Sequence, residues 1–407
     1  MHVLINIAEL ATCPPGNPQE DAGIIQNAAL VINGDSIGWA GPMTDLPSEF
    51  QQGDSTDCSG QLLIPGLIDC HTHLCFGGWR GDEFEMRLAG ASYQEIAATG
   101  GGIASTVAAT RAGSLEELEK KAAQALENML ALGVTTVECK SGYGLDEANE
   151  IKQLEVYRSL NASQSVDLVP TFLGAHIVPS EYRQDRSGYI KLICEVLIPR
   201  IARENLAEFC DAFVEEGAYT IEEGRQIFDA AKQHGLKIKL HADQLSDGGG
   251  ASLAAEWGAV SAEHLEYVSR EGIRDLAKSG TVAVSLPLAS LYLGERYLPA
   301  RKLLDAGVPV AVATDFNPGS APSYHLPLAM TMACLNQAMT PQEVLNGTTT
   351  VAARALNRQD RIGSLLPGYR ADIAIIDAPS LNHWLYHFVP NACRTVYKNG
   401  RPVVRAR

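Results

Sequence analysis

The chain has 407 residues, 46% of them hydrophobic and 20% charged, with 48 acidic side chains against 32 basic ones. Its composition is ordinary for a folded globular protein, and its length fits a barrel of about 200–250 residues plus a smaller domain. The formal net charge of -16 argues against nucleic acid and anionic membranes as partners, because both require a basic face. A small anionic substrate is compatible with that charge, since one arginine can reverse the local field inside a pocket.

The cysteines and the N-terminal residues bear on the compartment. There are nine cysteines, odd in number and scattered, and none forms a CxxC pair. In a chain of this size, such a pattern predicts reduced thiols rather than a disulfide framework or a structural zinc site. The first residues lack the basic and long apolar regions of a signal peptide, and no run approaches the roughly 20 apolar residues of a membrane span. We therefore predict a cytoplasmic protein.

Both ends of the chain predict short strands. Near the N-terminus, apolar runs at 28–32 and 37–40 flank Asn33-Gly34-Asp35, a turn typical of β-hairpins. Similar runs return close to the C-terminus, at 374–376, 394–397 and 402–404. This pattern predicts one small β-sandwich domain built from residues 1–65 and 361–407.

The middle of the chain alternates predicted strands with helical patterns, which is typical of βαβ units and a parallel sheet. One helical pattern opens at Ser114 with a capping box that Glu117 completes. Eight apolar runs flanked by turn residues are candidate strands, at 66–69, 134–137, 166–169, 209–213, 237–240, 260–262, 282–284 and 308–312. Eight such units predict an α/β fold, a (β/α)8 TIM-type barrel over residues 66–360, whose functional site lies where the strands end.

Polar residues with metal-ligand chemistry follow four of these strands. His71 and His73 come after the first strand, and because side chains two apart in an extended chain share a side, both imidazoles can face one ion. His241 follows the fifth strand, His264 the sixth and Asp315 the eighth. A lone HxH is a weak signal, because a buried histidine is usually a hydrogen-bonded core residue. Four histidines and an aspartate at converging strand ends nevertheless predict a metal site, which zinc and iron suit alike.

Two segments of the chain resemble the amidohydrolase superfamily. The run Leu63–His73 resembles the opening barrel strand of that superfamily, and Gly363–Asp372 resembles its return to the β-sandwich domain. Within the superfamily, three further segments are similar to the imidazolonepropionase family, at 73–80, 138–144 and 314–320. The resemblance covers almost the whole chain. It implies hydrolysis of the cyclic amide 4-imidazolone-5-propanoate to N-formimino-L-glutamate in histidine degradation.

The strand count favours one metal ion over two. Amidohydrolases with two ions bridge them by a carboxylated lysine after the fourth strand, and the fourth strand here ends in Val214-Glu215-Glu216 without a lysine. Lys140 follows the second strand, so we expect it at the rim of the barrel in a salt bridge. A different strand count would reopen a two-metal set of Lys140, His176, His241 and Asp315. The resemblance otherwise implies one divalent ion per chain, zinc or iron, held by His71, His73, His241 and Asp315.

The implied reaction gives roles to two residues. A cyclic amide resists neutral water, and a divalent ion supplies hydroxide for attack on the ring carbonyl by lowering the pKa of water from about 15.7 to about 7. Asp315 would take the proton and pass it to the leaving ring nitrogen, as general base and then acid. His264 would polarise the carbonyl or steer the hydroxide, and its alternative role is to support the ligands from behind.

The propanoate tail of the implied substrate needs a cationic anchor, and Arg80 follows the HxH loop at the right end of the barrel. The alternative for Arg80 is a solvated surface position. Tyr143 stands in a Gly-Tyr-Gly turn, which would present the ring rather than pack it. The resemblance implies that Tyr93, His176 and Gln244 complete the pocket. The alternative for Tyr93, a position on a helix surface, fits the sequence nearly as well. Three further residues follow the predicted metal ligand Asp315: Asn317, Gly319 and Ser320. They could bind the ring or the carboxylate of the substrate, or simply form a tight turn.

Three alternatives stay open at this point. Deaminases of the same superfamily typically carry His-x-x-Glu after the fifth strand, whereas Gln244 stands at that place here and cannot shuttle a proton. Another heterocycle hydrolase would not need Arg80 if its substrate lacked a carboxylate. A catalytically silent barrel would have lost metal ligands, and this chain keeps them. Barrels of this type often pair, so a homodimer is a further expectation.

Overall fold

Two eight-stranded sheets organise the chain in the computed structural model, which describes residues 1–51, 53–90 and 100–405. The strands are β1 (His2–Ala11), β2 (Ile24–Asn33), β3 (Ser36–Pro42), β4 (Asp54–Asp57), β5 (Leu62–Pro65), β6 (Leu67–Asp69), β7 (Val134–Lys140), β8 (Asp167–Ala175), β9 (Phe209–Val214), β10 (Lys237–Ala242), β11 (Ser261–His264), β12 (Val282–Ser285), β13 (Val310–Val312), β14 (Ile373–Ile376), β15 (Cys393–Lys398) and β16 (Arg401–Arg405).

Helices connect these strands. Those described are α1 (Gly81–Leu88), α2 (Ile103–Ala112), α3 (Leu115–Ala131), α4 (Glu147–Ser163), α5 (Arg186–Lys191), α6 (Ile198–Arg203), α7 (Ile221–Gln233), α8 (Gly250–Trp257), α9 (Arg270–Ser279), α10 (Pro287–Leu293), α11 (Ala300–Asp305), α12 (Leu326–Gln337), α13 (Pro341–Gly347), α14 (Thr350–Ala355) and α15 (Leu381–Tyr386). A π-helical segment, Leu192–Leu197, joins α5 to α6. Short 3-10 turns lie at Met43–Asp45, Ser48–Phe50 and Ser180–Tyr182.

The barrel consists of the parallel strands β6 to β13, hydrogen-bonded in chain order. Parallel strands of this kind are buried on both faces, and every residue of β7 is buried. Residues just beyond the first and last strands close the barrel: His73 N donates to Phe316 O at 2.9 Å, and Asp315 N donates to His71 O at 3.1 Å. Three predicted metal ligands therefore lie on the segments that complete the barrel.

The second sheet joins both ends of the chain. Its strand order is β16-β15-β14-β5-β1-β2-β3, with β4 paired to β1. Its neighbouring strands are antiparallel, except that β1 runs parallel to β4 and β5. The small sheet has a buried hydrophobic cluster that is separate from the barrel core and includes Leu4, Ile7, Leu30 and Ile373. The small sheet is thus a second hydrophobic unit.

Gly66 connects the two sheets, between β5 and β6. Its backbone N donates to Asp372 O at 2.8 Å. A Cβ at this position would lie 2.4 Å from Thr135 Oγ1 on β7. The chain can pass this closely from the small sheet into the barrel only because the residue has no side chain.

Helix α3 illustrates how local sequence signals act. Ser114 Oγ accepts a hydrogen bond from Glu117 N, and the Glu117 carboxylate accepts one from Ser114 N. The predicted capping box is therefore confirmed. Leu118, Ala122 and Leu126, about one turn apart, form the buried face of the helix.

The predicted architecture is confirmed. All eight predicted strands coincide with β6 to β13, and a separate sheet is built from both chain ends. The last run begins its strand at Val310 rather than at 308, because Val308 N bonds back to Leu303 O and Pro309 has no N–H. The domain boundaries at 65/66 and 360/361 stay a prediction. In the described ranges, no helix is long and apolar enough to cross a membrane.

Candidate active site

Four side chains converge at the C-terminal face of the barrel. His71 Nε2 and His73 Nε2 each lie 3.4 Å from Asp315 Oδ1. His241 Nε2 lies 3.5 Å from His73 Nε2. All four side chains are buried. The four predicted metal ligands are therefore neighbours, although 244 positions separate the first from the last.

The spacing of these atoms fits a divalent cation. With ligand bonds of about 2.0–2.1 Å, neighbouring ligand atoms of a tetrahedral ion are about 3.3–3.4 Å apart. The observed separations of 3.4, 3.4 and 3.5 Å agree with that spacing. His71 Nε2 is fully buried and has no hydrogen-bond partner among the described residues, which an ion would supply. Imidazole and carboxylate ligands suit zinc and iron.

The protonation states of three predicted ligands also suit a cation. Burial lowers the pKa of His73, and burial lowers that of His241 well below its ordinary value. Burial alone would raise the pKa of Asp315, but contacts with His71 and His73 hold it well below its usual range. Neutral imidazoles and an ionised carboxylate are the forms that bind metal.

His71 differs from the other two histidines. Burial and the Lys140 ammonium lower its pKa, but Glu263 and Asp315 outweigh both and raise it to about 9. Its Nδ1 lies 3.0 Å from Glu263 Oε2, while Nε2 faces Asp315. An imidazolium proton on Nε2 has to leave before a cation can bind there, so cation affinity falls as the pH falls.

A buried network of charges lies behind the predicted ligands. Lys140 Nζ lies 2.7 Å from Glu138 Oε1, 2.8 Å from Asp211 Oδ2 and 3.0 Å from Glu263 Oε2. Lys239 Nζ lies 2.9 Å from the other oxygen of Glu263. All five side chains are fully buried. Three carboxylates thus share two ammonium groups in the interior of the barrel.

This network also holds the rings of His71 and His241 in place. Asp211 Oδ2 lies 2.9 Å from His241 Nδ1, and Glu263 Oε2 lies 3.0 Å from His71 Nδ1. A carboxylate at Nδ1 fixes the orientation of an imidazole and increases the basicity of Nε2. The network therefore directs the Nε2 atoms of both rings toward the centre.

The expected rim position of Lys140 is wrong. Lys140 is fully buried and its salt bridges lie inside the barrel, because side chains at alternate positions of β7 face the interior. The strand count itself is correct: Lys140 ends the second barrel strand, and the fourth, β9, ends at Val214.

His264, the second predicted catalytic residue, ends β11. Its ring centroid lies 5.4 Å from that of His241 and 5.9 Å from that of His71. Its Nδ1 lies 3.5 Å from Glu266 Oε1. The backbone φ is 75° at His264 and 56° at Asp315, a left-handed conformation that is uncommon outside glycine and clusters at functional sites. Both predicted catalytic residues therefore stand on strained backbone beside one centre.

A cavity of about 520 Å³ adjoins the centre, a size that suits a small molecule. Eleven of the predicted site residues line it: His73, Arg80, Tyr143, His176, His241, Gln244, His264, Asp315, Asn317, Gly319 and Ser320. His71 is fully buried and is not part of the lining. Tyr93 lies outside the described residues.

Tyr143 and His176 form one wall of the cavity. Their ring centroids are 5.4 Å apart, and His176 stacks on His73 at 5.3 Å. Burial lowers the pKa of His176 to about 3, so this imidazole is neutral near pH 7. Its Nδ1 lies 3.0 Å from Gly142 O. Tyr143 is only 4% exposed, and it is both packed and presented to the cavity.

Asn317 organises the turn after Asp315. Its Oδ1 accepts hydrogen bonds from Gly319 N at 2.7 Å and Ser320 N at 2.8 Å. Its Nδ2 donates to Asp315 O at 2.6 Å and to Ser320 Oγ at 2.8 Å. The tight turn named as the alternative is therefore present, and both backbone N–H groups already have acceptors.

Sequence reasoning missed the buried charges behind the ligands and the carboxylate beside Arg80. Side chains alternate between the two faces of a strand, and this alternation could have predicted one of the buried charges. Lys239 lies two residues before His241, so an inward His241 requires an inward Lys239. Glu83 lies three residues after Arg80, a spacing at which opposite charges can pair, but the sequence does not show that this pair faces the cavity.

Residues 62–403, most of the chain, match the Amidohydrolase family. The chain belongs to the amidohydrolase family. This amidohydrolase is 48% identical over 388 residues to imidazolonepropionase from Geobacillus thermodenitrificans. The alignment covers 94% of this chain and 92% of the relative. It is 45% identical over 408 residues to imidazolonepropionase from Fusobacterium nucleatum, in an alignment that covers 99% of this chain and 98% of the relative. The resemblance to imidazolonepropionases seen in the motifs is confirmed.

Solved structures share the fold of this amidohydrolase at low identity. Triazine hydrolase from Arthrobacter aurescens aligns with a TM-score of 0.78 and 18% identity, covering 99% of this chain and 94% of that one. The 5-methylcytosine deaminase from Klebsiella pneumoniae aligns with a TM-score of 0.75 and 16% identity, covering 100% and 98%. These likenesses support the barrel and the sheet beside it.

Proposed function

We propose that this amidohydrolase hydrolyses 4-imidazolone-5-propanoate to N-formimino-L-glutamate, a step of histidine degradation. The observation that carries the proposal is the identity of 48% to an imidazolonepropionase over 94% of the chain. The site agrees with it, because a centre of cation ligands adjoins a small cavity that Arg80 also lines. Water adds to the ring carbonyl, the ring C–N bond breaks, and the product carries a second carboxylate.

The metal is one divalent ion per chain, zinc or iron, held by His71, His73, His241 and Asp315. Such an ion lowers the pKa of water to about 7 and so supplies the nucleophile near neutral pH. The fit rests on the ligand spacing, the orphan Nε2 of His71 and the neutral imidazoles.

Asp315 acts as the proton carrier. Its Oδ2 accepts a hydrogen bond from Ser320 Oγ at 3.3 Å, while Oδ1 faces the histidines. It takes the proton of the attacking water and delivers it to the ring nitrogen as the bond breaks. His264 orients the carbonyl oxygen and stabilises its developing charge.

The substrate is held by its tail and its ring. The Arg80 guanidinium binds the propanoate, since a guanidinium can hold a carboxylate by two parallel hydrogen bonds. Tyr143, His176 and Gln244 surround the ring, and Tyr93 is a further proposed substrate-binding residue by the family resemblance. Asn317, Gly319 and Ser320 bound the site beside Asp315. Gln244 orients the ring and transfers no proton, because an amide has no titratable proton near pH 7.

The test measures the loss of imidazolonepropanoate absorbance with purified protein, in parallel with metal content per chain. We expect turnover, about one ion per chain, and loss of activity with a chelator that returned metal restores. His241→Ala should lose metal and turnover together. His383→Ala, at an exposed histidine of α15, is the matched control and should keep full activity.

A protein that carries metal but does not act on imidazolonepropanoate would overturn the substrate assignment. The same preparation would then be assayed with uncharged heterocycles and with deaminase substrates. Turnover of an uncharged heterocycle that survives Arg80→Ala would favour a different hydrolase of this family.

All nine cysteines are free, and seven of them are buried. Unpaired thiols are typical of a reducing compartment, and we therefore assign this amidohydrolase to the cytoplasm. Its partner is a small anionic heterocycle, and a homodimer stays a prediction.

A further inference from the structure

Arg80, the proposed tail anchor, is fixed from one side by Glu83. Its Nε donates to Glu83 Oε2 at 2.8 Å, and the side chains are only 17% and 13% exposed. Partial burial reduces screening by solvent, so this pair constrains geometry more than an exposed pair would. Because the bond uses Nε–H, the N–H groups of the two terminal nitrogens are not committed to Glu83.

Glu83 is itself held by a second element. Its other oxygen, Oε1, accepts hydrogen bonds from Gly102 N at 2.9 Å and Ser105 Oγ at 3.1 Å, at the start of α2. Both carboxylate oxygens therefore have partners on different elements. The carboxylate is anchored before it reaches Arg80, which is the condition for it to determine where the guanidinium lies.

Gly319 lies beside the Arg80 guanidinium and leaves space for it. A Cβ at Gly319 would lie 2.2 Å from Arg80 Nη1 and 3.0 Å from its Cζ. The backbone of Gly319 is not among the positive-φ positions, so conformation does not require glycine here. The space taken by the guanidinium does.

We propose that Glu83 and Gly319 are positioning residues for Arg80, which together fix its guanidinium for the carboxylate tail and so select an acidic substrate over an uncharged one. Glu83 orients the guanidinium through Nε, and Gly319 leaves room for the terminal nitrogens. The inference rests on the proposed function, because it concerns how that site recognises the tail of its substrate.

The test compares kcat/KM for imidazolonepropanoate and for its uncharged methyl ester. Arg80→Ala defines full loss of the preference for the acid. Glu83→Gln and Gly319→Ala should each lower the acid-to-ester ratio by about tenfold, mainly through a higher KM for the acid. A merely structural role would lower both substrates alike and leave the ratio unchanged.

Two matched controls accompany these variants. A Cβ at Gly81, next to Arg80, meets nothing within 4 Å, so Gly81→Ala should keep the wild-type ratio. Glu85→Gln removes the charge of an exposed carboxylate on the same helix as Glu83, and it should also keep the ratio. Thermal unfolding checks that each variant folds, and Gly319→Ala tests the inference even if Glu83→Gln does not fold.

A double variant shows whether Glu83 acts through Arg80. In the Arg80→Ala background, Glu83→Gln should change the ratio no further, since the group that it orients is gone. Wild-type ratios in both single variants, or a lower KM for the acid in Glu83→Gln, would overturn the inference while the proposed function stands. A wild-type protein that hydrolyses neither compound would overturn the proposed function and the inference with it.

Discussion

At the scale of single residues, proton transfer depends on which group beside the centre can hold a proton. Gln244 lines the cavity three residues after His241, and its amide can orient a substrate but cannot carry a proton. Asp315 is ionised, buried and hydrogen-bonded by Ser320. The chemistry of these side chains therefore favours Asp315 over Gln244 as the proposed proton carrier.

Gln244→Glu tests that assignment. A carboxylate at 244 would repel the anionic substrate, so KM should rise, while kcat should stay within about threefold of wild type because the proton route is unchanged. Asp315→Asn should lower kcat by about 10²–10⁴-fold. Metal content is measured in each variant, since Asp315 is also a proposed ligand. A strong rise in kcat for Gln244→Glu would mean that the proton travels through position 244.

Single residues also show how far the sequence could predict the site. His71, His73, His241 and Asp315 were predictable because each follows an apolar run, and strand ends of one barrel face converge. Arg80 was predictable only through the resemblance of its loop. Its partner Glu83 was not predicted. The spacing of three residues allows the two side chains to pair, but whether the pair faces the cavity depends on tertiary packing that one sequence does not contain.

At the scale of elements, the interior of β7, β9, β10 and β11 is charged rather than apolar. The eight strands were predictable from apolar runs and turn residues, but such runs do not reveal which polar positions face inward together. Glu138 and Lys140 on β7 meet Asp211 on β9 and Glu263 on β11, contacts that depend on strand register. Burial would raise the pKa of Glu263, but Lys140 and Lys239 hold it well below its usual range, so this carboxylate stays ionised.

Lys140→Met removes one compensating charge and tests this balance. We expect the free energy of unfolding to fall by about 3–5 kcal/mol, because three carboxylates then share a single ammonium group in the interior. The control is Lys120→Met on α3, where the side chain is exposed, and its change should be within about 0.5 kcal/mol. Urea denaturation of both variants measures the difference. Equal stability of the two would mean that the network contributes little to the fold.

At the scale of the whole molecule, charged groups join the small sheet to the barrel. Asp167, at the start of β8, lies 2.9 Å from Lys398 Nζ on β15 and pairs with Arg370. Lys398 Nζ also lies 2.8 Å from Asp372 Oδ2, just before β14. The pairing of the chain ends was predictable from their strand patterns, whereas this docking contact joins residues 231 positions apart and has no local signal.

Asp167→Asn tests whether this contact fixes the small sheet on the barrel. The Asp167 side chain is 38% exposed, so we expect the free energy of unfolding at pH 7 to fall by only about 1 kcal/mol.

Burial would raise the pKa of Asp167, but Lys398 and Arg370 outweigh it and lower the pKa below 3.8. A lowered folded-state pKa gives stability that is complete above the unfolded value and is lost as pH falls through the folded one. The difference from wild type should therefore stay constant between about pH 5 and pH 8 and shrink only below about pH 4. Asp229→Asn, at an exposed carboxylate on α7, is the control. If it matched Asp167→Asn at pH 7 in urea denaturation, the ion pairs of Asp167 would add nothing measurable to the docking of the two units.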